Sequence, residues 1–469
     1  MSGTAPGGGL RSGAVGTAAS TVLSLASTAP AYSLAVSVGL LVSLVGGWTP
    51  LLLLVSAVPI LLVVLCFREL NAERPDCGTC FTWASRALGP RAGWLTGWLS
   101  IAACVLVMSN LLQVAAVYLL TVLGADAAAD SRAAQGAVGV TLLVAVAWLA
   151  HRGITVAART QLVLLGLEVA ALGWFAAAAL AAGPLPAADA PVPAPGSSDV
   201  VAAFLVAVFL YWGWDSSFSV NEESVDPHRT PARAALGALA VLALAYAAFA
   251  AVVLAYAGPA RLSRIGEDDL LAALGASLMG STGGTVLAGA VLLSALASSQ
   301  TTILPAARSA YAMARVGLAP RPLATVSATG SPAGATWTVT AVSGAVYVAL
   351  VATSDAVLAD SVAATAVLVA AYYTLTALAV PIGHGRRGIA RRPLARLVVP
   401  VSAAGLLGYV LVASLADLAT TSLVAVGVVL ATGALCVVGL PRDRSSPGPA
   451  APRADTATVP SHQPTRETR

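Results

Sequence analysis

Apolar runs of roughly 18–25 residues, each the length that crosses a bilayer as an α-helix, recur along almost the whole chain. Only 10% of the residues are charged, whereas a soluble protein averages about 25%. A chain of this composition cannot cover itself with a polar surface. The runs are also continuous, while the strands of an outer-membrane barrel would alternate apolar and polar residues. The sequence therefore predicts an all-α integral membrane protein.

The apolar runs divide into about twelve predicted transmembrane spans. They cover residues 13–45, 48–68, 92–122, 135–150, 157–182, 199–220, 232–257, 283–307, 333–352, 357–381, 394–415 and 418–440. All basic residues are Arg, and all except Arg132, Arg261 and Arg264 fall on the same side when the spans alternate in direction. Because the side richer in Arg is normally cytoplasmic, we predict a multi-pass protein of the plasma membrane with cytoplasmic N- and C-termini.

The segments outside the spans are mostly short. Residues 1–12 form a predicted cytoplasmic tail, and residues 441–469, rich in Pro, Ser, Thr and Arg, form a predicted disordered cytoplasmic tail. The four His are scattered without metal spacing, and the C-x-x-C of Cys77 and Cys80 lacks further ligands nearby. We therefore expect a reduced cysteine pair, no metal or cofactor, no nucleic-acid partner and no enzymatic activity.

Two of the apolar runs are interrupted near their middle. Pro30, which lacks a backbone donor, interrupts the first run within Ala26–Ser33 (ASTAPAYS). Gly213 and Asp215 interrupt the sixth run within Phe209–Val220 (FLYWGWDSSFSV). A carboxylate at bilayer depth is costly and usually faces a cavity, and an apolar helix broken by Gly and polar residues indicates a transporter's midplane site. For Pro30 alone, an ordinary kink is the alternative.

The two interruptions occupy matching places in two sets of five spans. Five spans separate them, so the two interrupted spans run in opposite directions. This spacing predicts inverted repeats formed by residues 13–182 and 199–381, followed by two further helices within residues 394–440. Half-helix N-termini attract anions, and unwound carbonyls attract cations. Two crossing breaks would therefore suit a zwitterion.

Three longer stretches carry a family resemblance. Arg68–Trp98 reads RELNAERPDCGTCFTWASRALGPRAGWLTGW, Tyr211–Pro231 reads YWGWDSSFSVNEESVDPHRTP, and Ala306–Pro320 reads AARSAYAMARVGLAP. In this order they resemble the link between spans 2 and 3, the sixth span with its exit loop, and the exit of the eighth span in the amino acid–polyamine–organocation permeases. The resemblance implies twelve helices with a five-plus-five inverted repeat and broken spans 1 and 6. It also implies secondary active transport of amino acids or related amines.

The resemblance places the substrate between spans 1 and 6, with spans 3 and 8 beside them. Many members of the family have a Gly-x-Gly at the span 1 break, where backbone N–H groups hold the substrate carboxylate. This chain instead has Ser27, Thr28, Ala29 and Pro30, and Pro30 cannot donate. Ala31, Tyr32 and the Ser and Thr hydroxyls remain as candidate donors. The departure leaves room for an amine that lacks a carboxylate.

Two acids lie at membrane depth. Asp215 is expected to receive the substrate ammonium or to titrate during transport, and its alternative role is to cap a half-helix. Glu168 lies in span 5, where the resemblance implies a Lys in some proton-coupled relatives. It is expected to be the protonation site that couples transport. Its alternative role is a fixed hydrogen bond to span 1 or 8.

Hydroxyl and amide side chains provide further candidates in spans 3 and 8. Ser298 and Ser299, together with Thr301 and Thr302, form a cluster that either helps to bind a sodium ion beside span 1 or bonds to the carbonyls of its own helix. Asn110 and Gln113 lie one turn apart on one face of span 3. They are expected either to reach the substrate or to join neighbouring helices.

Aromatic and charged residues surround the sixth span. Tyr211, Trp212 and Trp214 flank its break and are expected to form a gate or a cation–π wall. The loop that follows is expected either to be solvated or to form a cytoplasmic gate in which acids pair with arginines from the link after span 2. The residues of this predicted gate are Glu222, Glu223, Asp226, Arg68, Arg74 and Arg86.

The sequence as a whole predicts a permease that moves an amino acid across the plasma membrane by alternating access. The expected partners are a small-molecule substrate, a proton as the coupling ion and the lipid bilayer. Two alternatives remain at this point. One is a permease for polyamines or other organic amines, which needs more than one acid lining the cavity, and the other is an amino acid exchanger.

Overall fold

The computed structural model describes residues 9–185, 195–265, 270–354, 357–416, 418 and 420–438. Most of the predicted N-terminal tail and all of the predicted tail 441–469 lie outside these residues. Within them the chain is all-α, with no strand, which confirms the predicted fold class. Seventeen α-helices follow one another: α1 (Thr17–Ser27), α2 (Pro30–Val45), α3 (Thr49–Glu73), α4 (Cys80–Leu88), α5 (Pro90–Val122), α6 (Asp126–Ala129), α7 (Arg132–His151), α8 (Ile154–Ala182), α9 (Ser197–Phe209), α10 (Ser216–Ser219), α11 (Thr230–Ala257), α12 (Pro259–Ile265), α13 (Leu270–Arg315), α14 (Ala333–Thr353), α15 (Val357–Arg391), α16 (Val399–Ala416) and α17 (Thr420–Val438).

Nine helical stretches among the described residues are long and apolar enough to cross a membrane. The first of them, Thr17–Glu73, contains α1, α2 and α3, and two shorter apolar helices cover Ser197–Phe209 and Ser422–Val437. The chain is therefore a multi-pass membrane protein. The count of twelve spans stays a prediction.

Two long helices form the centre of the bundle. Helices α5 and α13 pack against each other and are buried along most of their length, whereas α7, α8 and α16 are largely exposed. Much of the exposed surface is apolar: Leu180, Leu244 and Val412 are 66%, 67% and 68% exposed. Such a surface is costly in water and suits the hydrocarbon of a bilayer.

The first predicted interruption is a true break. Helix α1 ends at Ser27, and Ala29 adopts the left-handed conformation with φ 47°. Pro30 is the first residue of α2, a position where its missing N–H is not needed for the helix. The kink interpretation of Pro30 is therefore wrong, because no continuous helix passes through it.

The second interruption separates α9 from α10 and lies against the first. Gly213 has φ 115°, and a Cβ atom there would lie 2.6 Å from the carbonyl oxygen of Ser27. Ser24 Oγ donates to the Trp214 carbonyl at 2.8 Å, and Ser216 Oγ donates to Ser27 Oγ at 2.7 Å. The two breaks are thus in direct contact. The inverted repeat that would relate them stays a prediction.

Candidate functional site

A cavity of about 580 Å³ lies beside the two breaks. Among the residues predicted to bind substrate or ions, it is lined by Ser27, Thr28, Ala29, Tyr32, Asn110, Trp212 and Ser298. The rest of the lining is mainly apolar, with three further hydroxyls: Ser33, Val36, Ser37, Leu40, Val107, Leu111, Ala202, Leu205, Val206, Phe209, Leu210, Val362, Ala363, Ala366, Ser414 and Leu418. No Asp, Glu, Arg, Lys or His is among these lining residues.

Phe209 is a wall residue that the sequence interpretation missed. Its ring stacks on that of Trp212, with centroids 6.4 Å apart and an interplanar angle of 9°. Both rings line the cavity. The signal was present in the sequence, because Phe209 lies three residues before Trp212, which is the spacing of about one helical turn.

The other predicted substrate residues lie outside the cavity lining. Gln113 is bonded to its neighbours, donating from Nε2 to Gln135 Oε1 at 2.9 Å and accepting from the Tyr347 hydroxyl at 3.3 Å. It therefore joins helices, which was one of the two roles expected for it. The remaining residues of this group are Pro30, Ala31, Tyr211, Gly213, Trp214 and Asp215.

Two of the three aromatic residues at the second break are packed into the protein rather than the cavity wall. The Tyr211 hydroxyl donates to the Leu53 carbonyl at 2.7 Å. Trp214 is fully buried and makes edge contacts with Phe67 and Phe218. Of the predicted aromatic gate, only Trp212 reaches the cavity.

Asp215 is linked to the cavity through Tyr372. The Trp212 indole donates from Nε1 to the Tyr372 hydroxyl at 2.7 Å, and this hydroxyl donates to Asp215 Oδ2 at 3.3 Å. Asp215 precedes α10, but its side chain makes no capping hydrogen bond there. The capping alternative is therefore wrong in this conformation. The carboxylate instead holds the hydroxyl that orients the Trp212 ring.

Glu168 connects three helices. It is fully buried, and its Oε1 accepts from the backbone N–H of Ala31 at 2.5 Å and from Ser294 Oγ at 3.0 Å. The Tyr32 N–H donates in turn to Ser294 Oγ at 3.3 Å. The donors expected to hold a substrate carboxylate at the start of α2 are thus used within the protein. The hydrogen bonds to α2 and α13 match the alternative role of Glu168.

The hydroxyls of the span 8 cluster bond to backbone carbonyls. Ser298 Oγ donates to the Ser27 carbonyl at 2.8 Å, across to the first break. Ser299 Oγ donates to the Ala295 carbonyl at 2.7 Å within α13. These contacts correspond to the structural interpretation of the cluster rather than to a sodium site.

A buried ion pair lies on the other side of the breaks from the cavity. Glu223 and Arg308 pair at 2.5 Å, with side chains 2% and 3% exposed. The Glu223 carbonyl also accepts from the N–H groups of Ala14 and Val15, at 2.8 and 3.0 Å. Glu223 therefore joins the segment before α1, the segment after α10 and the end of α13.

A second, more exposed set of charges surrounds this pair. Arg315 lies 3.2 Å from Glu222 and 3.5 Å from Asp76. Glu222 also accepts from the Cys77 N–H at 3.0 Å. Ligand atoms of Asp76, Cys77 and Glu222 lie within 4.8 Å of one another. Arg315 already neutralises both carboxylates, and burial raises the pKa of the Cys77 thiol well above its usual value. These features fit a charge-paired closure better than a metal site.

The predicted pairing of this gate is therefore wrong in its partners. The acids after span 6 meet Arg308 and Arg315 from α13, not Arg68, Arg74 or Arg86. Arg68 lies 3.9 Å from its neighbour Glu69 instead. The remaining predicted acid, Asp226, lies in the loop before α11, where its carbonyl accepts from the N–H of Thr230, the first residue of that helix, at 2.8 Å.

Two broken helices in contact beside a cavity, with a buried ion pair near one end, are typical of a membrane transporter. The amino acid permease family model matches residues 16–439, nearly the whole chain. The chain therefore belongs to the amino acid permease family. It is 26% identical over 304 residues to the branched-chain amino acid permease BcaP of Lactococcus lactis subsp. cremoris. That alignment covers 59% of this chain and 63% of the relative, so it spans less than two thirds of that permease.

Proposed function

We propose that this protein carries a neutral amino acid with an apolar side chain across the plasma membrane by proton-coupled alternating access. The observation that carries the proposal is the uncharged, mainly apolar cavity beside two touching helix breaks. The family supports an amino acid as the substrate, and the name of the matched relative supports a branched-chain side chain. The proposed binding residues are those that line the cavity.

The cavity lining argues against a polyamine. A polyamine carries several positive charges, and burying them requires paired carboxylates. No Asp or Glu lines the cavity, since Asp215 lies behind Tyr372 and Glu168 lies behind α2. A branched apolar side chain, by contrast, gains about 25 cal/mol per Å² of apolar surface removed from water. The rings of Phe209 and Trp212 are part of the apolar wall that would cover it.

The proposed cycle begins with the cavity open to the outside. Under the predicted topology, α2 and α9 form the outer halves of the broken spans, and Glu223 and Arg308 close the inner side. Opening inward then requires that the Glu223–Arg308 pair separates and that the Ala14–Val15 segment leaves residue 223. Substrate binding favours the closed intermediate between these states because it contacts both halves at once.

Glu168 is the proposed coupling residue. As a carboxylate it stabilises the start of α2. The Ala31 N–H donates to it directly, and the Tyr32 N–H is linked to it through the Ser294 hydroxyl. Protonation removes the negative charge and weakens these bonds, because hydrogen bonds to an ionised acceptor are roughly twice as strong. The joint between α2, α8 and α13 is then looser. Proton binding thereby favours movement of the broken span.

The test is uptake into proteoliposomes from a panel of labelled neutral amino acids and diamines, with and without an inward proton gradient. We expect accumulation of a branched-chain amino acid that collapses with the gradient. Glu168→Gln should abolish accumulation and keep exchange against preloaded substrate. Asp199→Asn, at the start of α9 and bonded only to Gly196 in the contacts described, is the matched control. Unchanged accumulation in Glu168→Gln refutes the coupling role, and uptake of diamines alone refutes the substrate.

A further inference from the structure

Two buried glutamines lie two helical turns from Glu168. Gln161 precedes Glu168 by seven residues on α8, so both side chains lie on the face that packs against α13. Gln161 is 0% exposed, and its partner Gln300 on α13 is 1% exposed. Neither lines the cavity. They lie toward the end of the bundle where α8 begins and α13 ends, which is the end that Glu223 and Arg308 close.

Backbone contacts fix the orientation of these amides. Gln161 Nε2 donates to the Ala297 carbonyl at 2.9 Å and to Gln300 Oε1 at 2.6 Å. A carbonyl can only accept, so the nitrogen of Gln161 must face Ala297, and the oxygen of Gln300 must face that nitrogen. Exchanging the two ends of either amide would break a bond without forming another.

This orientation leaves polar atoms without partners. Among the described residues, Gln161 Oε1, Gln300 Nε2 and Glu168 Oε2 have no hydrogen-bond partner, although each is buried. One atom accepts, one donates, and the third belongs to a carboxyl group. Unpaired buried polar atoms are rare in folded proteins, and buried water is their usual partner. These three atoms belong to the facing helices α8 and α13 and lie within about two helical turns of one another.

We infer that water molecules fill the α8–α13 interface between the glutamine pair and Glu168 and carry protons away from that carboxyl group. Each proton passes from Glu168 Oε2 to the nearest water and then from one water to the next, while the amides only accept or donate hydrogen bonds and keep their own protons. The path ends at the closed end of the bundle, the inner side on which an imported proton is released, so it does not pass through the substrate cavity. The role in coupling rests on the proposed function, whereas the hydration itself does not.

The test measures hydrogen–deuterium exchange at Glu168 directly by infrared spectroscopy on the purified protein. The protonated carboxyl band is identified by its loss in Glu168→Gln, and its shift is followed after mixing with D₂O. The double variant Gln161→Leu/Gln300→Leu removes both polar partners while keeping similar volumes. We expect this variant to slow the shift by about 10²-fold, the lower end of what positioning a proton transfer contributes, because the waters lose the amides that orient them. Proton-driven uptake should slow in parallel, while substrate exchange is kept.

Two further variants distinguish loss of the water path from a general disturbance of the α8–α13 packing. Gln161→Asn/Gln300→Asn keeps polar groups at both sites and should keep the fast shift. Ser299→Ala removes a hydroxyl bonded to its own helix and should also leave the shift fast. An equally fast shift in the leucine variant overturns the inference, even where proton-driven uptake stands. If no carboxyl band is lost in Glu168→Gln, the inference is likewise overturned. The coupling role of Glu168 is tested separately by proton-driven uptake in Glu168→Gln.

Discussion

The guanidinium of Arg308 donates to a single carboxylate oxygen of Glu223 from two nitrogens, Nε at 2.8 Å and Nη2 at 2.5 Å. Both side chains are almost completely buried. Two charges in such a place stabilise the fold only as a pair, because each was removed from water to form it. The contact therefore holds the end of α13 to the segment after α10. Separating the two side chains without exposing them to water would leave each charge buried and unpaired.

Arg308→Gln should lower the free energy of unfolding by about 3–5 kcal/mol, since it leaves the Glu223 carboxylate buried without a counter-charge. Arg315→Gln is the matched control. Arg315 is 36% exposed and pairs with a partly exposed Glu222, so its loss should change the stability by only about 0–1 kcal/mol. Thermal unfolding in detergent compares the two variants. Equal losses of unfolding free energy in the two variants would mean that the buried Glu223–Arg308 pair is no more important for stability than the exposed pair.

The reactivity of Cys77 should report whether the closed end has opened. Burial, and then the carboxylates of Glu222 and Asp76, raise the pKa of this thiol well above its usual value. Only the thiolate reacts with maleimides. A raised pKa keeps the thiol protonated at neutral pH, so labelling of a variant that retains Cys77 alone should be slow up to about pH 9.

Opening the closed end reverses this expectation for Cys77. Once exposed, the thiol should titrate near its usual pKa of about 8.5. In the Arg308→Gln background, labelling should therefore accelerate and should rise steeply between about pH 7 and pH 9. A variant that retains Cys436 alone, which is exposed in the structure, controls for reagent access. Identical pH profiles of labelling with and without Arg308 would show that the reactivity of Cys77 does not report opening of the end that Glu223 and Arg308 close.

Gly213→Ala should disrupt the contact between the two breaks. Gly213 has φ 115°, and the added Cβ would lie 2.6 Å from the Ser27 carbonyl oxygen, which is backbone and cannot move aside. Left-handed strain and overpacking together should destabilise the fold by about 2–5 kcal/mol. Gly289→Ala in α13 meets nothing within 4 Å and should be neutral or stabilising by up to about 1 kcal/mol. Thermal unfolding of the two variants decides the matter, and similar midpoints would count against close contact of the breaks.

The sequence could predict the breaks because their causes are local. Proline and glycine limit or widen the backbone conformations that a residue adopts, and this effect does not depend on distant contacts. Ala29 is the exception, since nothing in its side chain favours its left-handed conformation. Its carbonyl accepts from the Ser33 N–H at 2.8 Å, which ties it to the first turn of α2. The first break, at Thr28 and Ala29, falls within the predicted stretch Ala26–Ser33 and directly before Pro30.

The partners of the charged residues could not be predicted in the same way. Arg308 and Arg315 are seven residues apart and must share a face of α13, but the sequence does not say toward which neighbour that face turns. Glu168 was placed beside span 1 or span 8, and it contacts both. Tyr372 gave no signal, because a tyrosine among apolar residues of span 10 is indistinguishable from a packing residue. The contacts of the arginines, Glu168 and Tyr372 all depend on how each helix is rotated about its axis in the assembled bundle.

Tyr372→Phe should weaken substrate binding through Trp212. The Tyr372 hydroxyl accepts from the Trp212 indole and donates to Asp215, so its loss frees the ring that lines the cavity and leaves the indole N–H without its partner. Leaving a buried polar group without its partner costs about 1–3 kcal/mol. We expect KM for the transported amino acid to rise about 5-fold to 100-fold, with kcat changed far less, because the coupling residue Glu168 is untouched. Tyr409→Phe, at an exposed tyrosine of α16, is the control. Larger apolar substrates should gain relative to smaller ones in Tyr372→Phe, because a mobile Trp212 enlarges the cavity. An unchanged KM and an unchanged size preference would show that Asp215 does not act on the cavity through Tyr372.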